Sequence, residues 1–234
     1  MHIFYTPDIS GNHYALSPEE SKHCTKVLRL QAGDVIALVD GKGGFYKGEI
    51  TQTGQKACEV KIIEAETEYG QWPFYLHMAV APTKNIDRTE WMLEKCTEIG
   101  VNEVSMLNTD HSERKVVKAD RLEKVMVSAM KQSLKAYLPK LNDMTDVKSF
   151  IRSCKESQKF IAHCHEGDKK RLDEVYREGS DAVILIGPEG DFSEEEVKIA
   201  MENGFIPVTL GKSRLRTETA GVVACHSINF LNRR

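Results

Sequence analysis

The chain has 234 residues, of which 41% are hydrophobic and 29% charged, and its formal net charge is −3. This length fits one domain of average size and a smaller second one, and the composition excludes a disordered or fibrous protein. The weakly negative charge excludes a protein that coats nucleic acid indiscriminately, and no apolar run reaches the roughly 18 residues of a membrane span. The start, MHIFYTPDISGNHY, has no basic segment followed by an apolar one, so we expect a cytoplasmic protein without a secretory signal.

The first 70 residues carry short strand signals that are separated by turn residues. Strands are predicted at His2–Tyr5, Val35–Val39, Phe45–Thr51 and Ala57–Glu64. One helix is predicted from Ser17-Pro18, where serine can cap and proline occupies the first helical position, to Leu30. The pattern indicates a small β-barrel-like domain over residues 1–70, and Glu66–Phe74 has the composition of a linker.

From Tyr75 onward, apolar strands alternate with helical segments. The strands are predicted at Leu76–Ala81, Val104–Leu107, Phe160–Cys164, Ala182–Ile186 and Pro207–Leu210. The helices are predicted near Asp87–Ile99, Ala119–Ala136, Lys169–Arg177, Glu194–Glu202 and Ala220–Leu231. This alternation predicts an α/β domain over residues 73–234, with a parallel sheet that binds its ligand at the carboxyl ends of its strands.

A glycine-rich turn, Ile186-Gly187-Pro188-Glu189-Gly190, follows the apolar strand AVILI. Ser193 and Glu196 then form a capping-box pattern at the start of the next helix. Glycines let the backbone approach a ligand closely, but a turn that merely connects strand and helix would have a similar sequence. No phosphate-binding pattern, neither G-x-x-x-x-G-K-[ST] nor G-x-G-x-x-G, occurs in the chain. Because Glu189 and Asp191 would repel a phosphate, the turn favours a cationic ligand.

A second loop, Leu210-Gly211-Lys212-Ser213-Arg214-Leu215, also leaves a strand at a glycine. It leads into the cluster Arg216-Thr217-Glu218-Thr219, just before an apolar helix. Charged and hydroxyl groups are costly to bury without partners, so this cluster indicates a functional site. The structural alternative is that Thr217 or Thr219 caps the helix.

Together the two loops resemble the paired glycine loops of the knotted SPOUT class of RNA methyltransferases, and within it the RsmE family with its GPEGGF and LR-x-ETA signatures. The segment from His23 to Arg29, followed by Gly33-Asp34, resembles the H-x-x-x-V-L-R…G-D stretch of that family's N-terminal PUA-like domain. Lys84 with Glu94–Val101 resembles the K…EKxTELGV segment, and Gln132-Ser133 with Pro139 resembles the QS-R…P segment. The matching motifs therefore span nearly the whole chain in the family's order.

The resemblance implies an S-adenosylmethionine-dependent methyltransferase that acts on N3 of a uridine, usually numbered 1498, in 16S ribosomal RNA of the small ribosomal subunit. It implies a C-terminal parallel-sheet domain with a deep trefoil knot, over about residues 75–234, behind a small N-terminal β-barrel PUA-like domain. It also implies a homodimer, for which the C-terminal helix offers the apolar residues Val222, Val223, Cys225, Ile228 and Leu231.

The resemblance also assigns site residues. Arg216 and Glu218 are expected to be catalytic, because Arg216 could stabilise negative charge on uracil O2 or O4 and Glu218 is a carboxylate available for the N3 proton. Hydroxide from solvent is the other candidate for that proton. The cofactor is expected at Ile186, Gly187, Pro188, Glu189, Gly190, Leu210, Gly211, Leu215, Arg216, Thr219 and Ala220. RNA is expected at His23, Lys26, Arg29, Lys84, Arg114, Gln132 and Lys135, the first three of them along one face of the predicted helix.

Two residues depart from the family pattern: Asp191 replaces the second glycine of the GPEGG loop, and Lys135 stands near an expected arginine. We expect Asp191 to tolerate the left-handed geometry of that position, and Lys135 to keep the charge but lose the bidentate fork. The segment His163-Cys164-His165 has metal-ligating residue types. Because alternation along a strand would separate the cysteine from the two histidines, we expect no metal.

Two other classes of protein stay open. One is an RNA-binding module without catalysis, in which a PUA-like domain is joined to an inert α/β partner. The other is a different small-molecule α/β enzyme, which the missing phosphate loop and the missing Ser/His/Asp signatures disfavour. Binding of S-adenosylmethionine would separate the methyltransferase from both.

Overall fold

The structure, a computed structural model, describes residues 2–54 and 57–233. The chain divides into two compact units. The first runs to Gln71 and also contains Met130–Leu138, and the second consists of Trp72–Ala129 and the chain from Pro139 onward. Residues 130–138 therefore group with the first unit, whereas the predicted domain limits assigned them to the second.

The first unit is built on a mixed five-stranded sheet. Its described elements are β1 (Ile3–Tyr5), β2 (His13–Ala15), α1 (Pro18–Lys22), β3 (Val35–Val39), β4 (Phe45–Gln52) and β5 (Glu59–Glu66). The strand order is β1-β3-β4-β5-β2, with β1 parallel to β3 and the remaining pairs antiparallel. Alternating apolar residues turn inward and form a core around Phe4, Ile36 and Leu38.

The predicted helix from Ser17 to Leu30 is wrong in its second half. It begins as expected, since the Ser17 hydroxyl accepts a hydrogen bond from Glu20 N (3.2 Å), but after Lys22 it widens into a π-helical turn at His23–Val27. Arg29 lies beyond this turn in the left-handed region, with a φ of 58°. This path lets Leu28 and Leu30 pack against the core, with Leu30 N donating to Cys24 O (3.0 Å). Lys26 and Arg29 therefore do not share a helix face.

The second unit contains the predicted parallel sheet with helices, so this prediction is confirmed. Its strands are β6 (Leu76–Val80), β7 (Glu103–Asn108), β8 (Lys140–Asp146), β9 (Gln158–Ala162), β10 (Lys170–Arg171), β11 (Ala182–Ile186) and β12 (Ile206–Thr209). The helices are α2 (Ile86–Ile99), α3 (Ala119–Gln132, whose last residues fall in the first unit), α4 (Val147–Ser153), α5 (Leu172–Val175), α6 (Glu194–Glu202) and α7 (Thr217–Leu231). The strand order is β10-β12-β9-β11-β6-β7-β8, and all its pairs are parallel. Every residue of β11 is buried, as expected for a strand that is covered on both faces.

Helices α2 and α7 pack closely because a glycine lies at their contact. A Cβ atom added to Gly221 would lie 2.4 Å from the sulfur of Met92, so a larger residue there would require the Met92 side chain to move. Further along, the Asn229 amide donates a hydrogen bond to Gly100 O (2.7 Å). These two contacts fix the register of α7 along α2.

The same packing corrects part of the expected dimer surface. Cys225, Ile228 and Leu231 are buried within the chain, because the face of α7 that carries them turns inward. They are therefore not available to a second subunit. Val222 and Val223 are only half-buried.

None of the helices in the described part of the chain is long and apolar enough to cross a membrane.

A polar network lies where β6, β7 and β8 begin. The buried His77 ring contacts Glu156 through Nδ1 (2.6 Å) and the Ser105 hydroxyl through Nε2 (2.8 Å). The Asn142 amide donates to both Ser105 Oγ (2.8 Å) and Glu103 Oε1 (2.6 Å). Burial raises the pKa of the Glu103 carboxyl, but hydrogen bonds from Asn142, Tyr75 and Lys140 outweigh burial and lower this pKa to about 2.

We expect Glu103→Gln to reduce the free energy of unfolding at pH 7, because it removes the charge that these hydrogen bonds stabilise. The expected loss is only about 1–2 kcal/mol, because solvent screens part of this interaction. The folded-state pKa of Glu103 lies below its ordinary value of 4.5. Its contribution to stability is therefore fully present above about pH 4.5 and is lost as the pH falls towards 2. Urea unfolding of both proteins between pH 3 and pH 7 should show their difference shrinking with acid. The exposed Glu123→Gln on α3 is the control, and an equal pH dependence of wild type and Glu103→Gln would contradict the prediction.

Candidate functional site

The two glycine loops leave the carboxyl ends of β11 and β12, at one edge of the parallel sheet. A third loop leaves the neighbouring strand β9 at the same edge, because β9 lies between β11 and β12. A cavity of about 740 Å³ opens there, within the range of small-molecule sites. Its lining residues are Arg88, Ala162, His163, Cys164, Lys169, Ile186, Gly187, Pro188, Glu189, Asp191, Val208, Thr209, Leu210, Gly211, Lys212, Ser213, Arg214, Leu215, Arg216, Thr217 and Ala220.

Asp191 holds the first loop together from a left-handed position. Its φ is 64°, and its amide closes a turn by donating to Pro188 O (2.9 Å). One carboxylate oxygen accepts from Phe192 N (2.9 Å) and the other from Cys164 N (2.7 Å). Aspartate is among the residues that tolerate this conformation, and these bonds stabilise it further. Asp191 therefore keeps the loop geometry and also ties it to the loop after β9.

The start of α6 follows its predicted pattern. The Ser193 hydroxyl accepts from Glu196 N (3.2 Å), and the buried Glu196 carboxylate accepts from Ser193 N (2.7 Å). Glu196 also accepts from Asp110 N (2.8 Å), so it links the start of α6 to the loop after β7. The capping box is confirmed.

The two glycines of the first loop occupy different environments. Gly187 lines the cavity on one side and lies against the Phe192 ring on the other, where an added Cβ would come within 3.1 Å. Gly190 does not line the cavity, and a Cβ there would lie 3.0 Å from His111 Cβ. A His111 ring nitrogen also lies 3.0 Å from the Gly190 and Asp191 carbonyl oxygens. A side chain at Gly190 would therefore disturb His111 before it reached a ligand.

The second loop turns at Gly211, whose φ of 137° is strained for a residue with a side chain. Arg216 is the N-cap residue of α7, makes no side-chain capping bond, and is exposed on the cavity wall. The Thr217 hydroxyl donates to Gly187 O (3.0 Å), so it joins the two glycine loops. The capping alternative for Thr217 is therefore wrong.

Glu218 lies behind the cavity wall. It is 8% exposed and is absent from the lining residues. Its Oε1 atom lies 3.9 Å from Arg88 Nε, and its Oε2 atom is buried with no hydrogen-bond partner among the described residues. The catalytic role expected of Glu218 remains a prediction.

Most of the residues expected at the cofactor lie together. Nine of them line the cavity, namely Ile186, Gly187, Pro188, Glu189, Leu210, Gly211, Leu215, Arg216 and Ala220. Gly190 and Thr219 do not. The lining residues outside the two predicted loops are Arg88, Val208 and Thr209 of β12, and those of β9 and the loop after it. The adjacent histidine and cysteine after an apolar strand were the available signal there, but they were considered only as metal ligands.

The loop after β9 is tied down by backbone contacts. Strand β9 ends at Ala162, so the alternation argument does not apply to His163, Cys164 and His165. The two histidine rings lie 5.6 Å apart, and Lys169 Nζ donates to His165 O (2.6 Å). Burial, followed by the charge of Lys169, lowers the pKa of His163. In the described ranges no three His, Cys, Asp or Glu side chains are grouped to hold a metal.

The residues expected at the RNA fall into two groups. Lys84 and Arg114 belong to the second unit, beside the first glycine loop. Lys84 N donates to Glu189 Oε1 (3.0 Å), and the Arg114 guanidinium donates to Thr83 O (3.1 Å) and Lys84 O (2.6 Å). The other group, in the first unit, consists of His23, Lys26, Arg29, Gln132 and Lys135.

The chain matches two protein-family models. Residues 70–229 match an RNA methyltransferase domain, and residues 16–63 match an RNA methyltransferase PUA domain. A curated relative, ribosomal RNA small subunit methyltransferase E of Buchnera aphidicola subsp. Acyrthosiphon pisum, is 27% identical over 98% of this chain and 92% of its own length.

Solved structures agree with these matches. The structure of a probable rRNA-methyltransferase from Porphyromonas gingivalis is 44% identical, with a TM-score of 0.94 over 100% of this chain and 99% of that one. A ribosomal RNA small subunit methyltransferase E from Neisseria gonorrhoeae, bound to S-adenosyl methionine, is 27% identical, with a TM-score of 0.90 over 99% of this chain and 98% of that one. The predicted fold class is confirmed as an α/β protein in which a parallel-sheet domain follows a small β-rich PUA-like domain. The trefoil knot remains a prediction. The chain therefore belongs to the RNA methyltransferase family, and within it to the RsmE group that its two glycine loops predict.

Proposed function

We propose that this protein transfers a methyl group from S-adenosylmethionine to N3 of a uridine, usually numbered 1498, in 16S ribosomal RNA of the small subunit. The observation that carries the proposal is the cavity at the carboxyl edge of the sheet, where both glycine loops meet and nine of the expected residues converge. The family match covers the same residues. The Buchnera aphidicola and Neisseria gonorrhoeae relatives are named as methyltransferases of small-subunit ribosomal RNA, and the Neisseria gonorrhoeae structure holds the cofactor.

The cavity fits this cofactor in size and in chemistry. Its backbone-rich loops offer N–H and C=O groups for the adenosine, and Glu189 supplies negative charge near a ligand that carries a sulfonium cation. When bound, the cofactor supplies an electrophilic methyl group. The protein's part is to hold and orient both reactants and to exclude water from between them.

N3 of uracil carries a proton that must leave before the nitrogen can accept a methyl group, and negative charge then spreads onto O2 and O4. Arg216 is exposed on the cavity wall, where its guanidinium can stabilise that charge. The sequence offers Glu218 and hydroxide as acceptors of that proton, and of these Glu218 does not line the cavity.

We further propose that residues 1–70 position the RNA, that residues 73–234 form the catalytic domain, and that the enzyme is a cytoplasmic homodimer. The first unit matches the PUA model, and the small ribosomal subunit as substrate implies the cytoplasm. The dimer rests on the resemblance to SPOUT enzymes. Light scattering on the purified protein tests it, and a monomeric mass would contradict it.

The test of function uses the full chain with labelled S-adenosylmethionine and small subunits that lack the modification. Calorimetry should show cofactor binding, and mass spectrometry of the RNA nucleosides should show 3-methyluridine. Binding without transfer would favour the RNA-binding module. Transfer to another base or to free nucleotides would overturn the assigned substrate.

The exposed basic residues of the first unit should contribute to RNA binding. We expect Lys26→Ala combined with Arg29→Ala to weaken binding to the small subunit and to reduce the slope of log affinity against log salt by up to about two units. Both side chains are exposed, so the fold should be unaffected. Lys42→Ala with Lys61→Ala, two exposed lysines of the same unit, is the matched control. Equal salt slopes for the two double variants would contradict a specific role for Lys26 and Arg29.

A further inference from the structure

The carboxylate of Glu218 is buried with an incomplete set of partners. Its side chain is only 10% exposed, and no hydrogen bond from the described residues reaches Oε2. An ionised carboxylate in such a place is costly unless a cation lies beside it. The cation that lies beside it is Arg88, with Nε 3.9 Å from Oε1.

Arg88 connects this carboxylate to the cavity. It lies in the first turn of α2, its side chain is 41% exposed, and it is one of the lining residues. A guanidinium has five N–H donors, and the 3.9 Å between Arg88 Nε and Glu218 Oε1 is an ion-pair distance that is too long for a hydrogen bond. Donors of Arg88 can therefore serve a ligand.

The backbone on both sides of this pair is held in place. Gly221 lies one turn after Glu218 and packs against Met92, which lies one turn after Arg88. Asn229 and Gly100 repeat the contact two turns further on. Because the register of the two helices is fixed, a change in the Arg88–Glu218 pair would alter the direction of the Arg88 side chain rather than the spacing of the helices.

Extending the proposed function, we propose that Arg88 contacts an anionic oxygen of a bound reactant and that Glu218 is the positioning residue that aims it, not the base that removes the N3 proton. A base must come within hydrogen-bond reach of the proton that it takes, whereas the Glu218 side chain does not line the cavity. Protonation of Glu218 would also remove the negative charge that faces Arg88. The anionic oxygen belongs either to the carboxylate of the cofactor's methionyl group or to the deprotonated uracil.

Two ligands and one rate measurement distinguish these sources in Arg88→Ala. S-adenosylhomocysteine has the amino-acid carboxylate that corresponds to the one of the cofactor's methionyl group, and methylthioadenosine lacks it. If Arg88 binds that carboxylate, affinity for the first should fall at least about 10-fold while affinity for the second stays unchanged. If Arg88 binds the uracil oxygen, both affinities should stay and kcat should fall at least about 100-fold. Arg88→Lys should recover part of the lost property, because it keeps the charge without the fork.

Glu218→Gln provides the second arm. As a positioning residue it should cause a smaller loss of the same property as Arg88→Ala, and the pH profile of kcat should keep its shape. The proposal would be overturned if Glu218→Gln lost the acid limb of that profile while Arg88→Ala stayed near wild type. Glu218 would then be the base. Arg121→Ala is the matched control. Arg121 lies on α3 and pairs with Asp87 and Glu90 of α2, the helix that carries Arg88, but it does not line the cavity.

The two proposals can fail separately. If the wild-type chain neither binds the cofactor nor methylates the small subunit, the proposed function fails. If the wild-type chain is active and Arg88→Ala changes neither ligand affinity nor kcat by more than about 3-fold, only the role of Arg88 is overturned. Should Arg88→Ala or Glu218→Gln not fold, Arg88→Lys still tests the proposal through a partial loss of the same property, because it keeps a cation beside the Glu218 carboxylate but not the planar fork.

Discussion

Replacing Ala220 by phenylalanine is expected to weaken the binding of S-adenosylmethionine at least about 100-fold, or about 2.7 kcal/mol. Ala220 is half-buried in the first turn of α7 and lines the cavity between the two glycine loops. A benzyl group there would occupy space that the ligand needs. The loops cannot yield easily, because Thr217 and Gly187 join them by a hydrogen bond (3.0 Å). Calorimetric titration of wild type and variant measures the effect.

The control for Ala220→Phe is Lys198→Phe, which places the same side chain on the exposed face of α6 (75% exposed). Both variants should melt within a few degrees of wild type, since neither substitution enters the core. If folded Ala220→Phe bound the cofactor with wild-type affinity, the cavity would not be the cofactor site. The expected pattern is loss of binding in this variant alone.

Removing the Arg216 side chain is expected to reduce kcat at least about 100-fold, the usual scale for the loss of one donor that acts in the transition state. Arg216 makes no side-chain capping bond, so its guanidinium is not needed to start α7. Cofactor affinity should therefore fall much less than kcat. Single-turnover methylation of the small subunit with saturating cofactor separates the chemical step from binding.

Arg152→Ala on α4, an exposed arginine outside the cavity, is the matched control for Arg216→Ala. Arg216→Lys should recover a minor share of the rate, since an ammonium keeps the charge but not the planar fork. A near wild-type rate in Arg216→Ala would show that this side chain takes no part in the transition state. Equal losses in affinity and kcat would move Arg216 from catalysis to cofactor binding.

Elements with strong local signals could be predicted closely from the sequence. Strand β11 is a continuous apolar run and α6 begins with a capping box, so the bounds of both elements are as predicted. Strand β8 and helix α4 were missed, because KLNDMTD is an edge strand of half-exposed polar residues and has neither an apolar run nor clear alternation. The π-helical turn at His23–Val27 was missed because its residues also fit an ordinary helix. The packing of Leu28 and Leu30 on the core favours the π-helical turn over an ordinary helix.

In the candidate site, too, the parts with local sequence signals could be predicted and the parts that depend on long-range contacts could not. The two glycine loops could be found because each carries its own turn and helix-start residues. The contribution of the loop after β9 depends on the strand order, which inserts β9 between β11 and β12 although they are not consecutive in the chain. Arg88 depends on the pairing of α2 with α7, two helices more than a hundred residues apart in sequence. Such long-range neighbours have no local signature.

Because residues 130–138 belong to the first unit, the two units cannot be separated by a single cut in the chain. They pack Met130 and Ala136 into an apolar cluster with Ile3, Val39 and Phe45 of the first unit, and Gly43 N donates to Ala136 O (3.0 Å). The chain therefore passes between the two units three times, after Gln71, Ala129 and Leu138. A protease that cuts only near residue 71 should leave fragments that co-elute under native conditions and separate only in denaturant. A gene that begins at codon 72 would encode a protein with an uncovered apolar strip, and the first unit cannot be exchanged between relatives as an independent cassette unless residues 130–138 are exchanged with it.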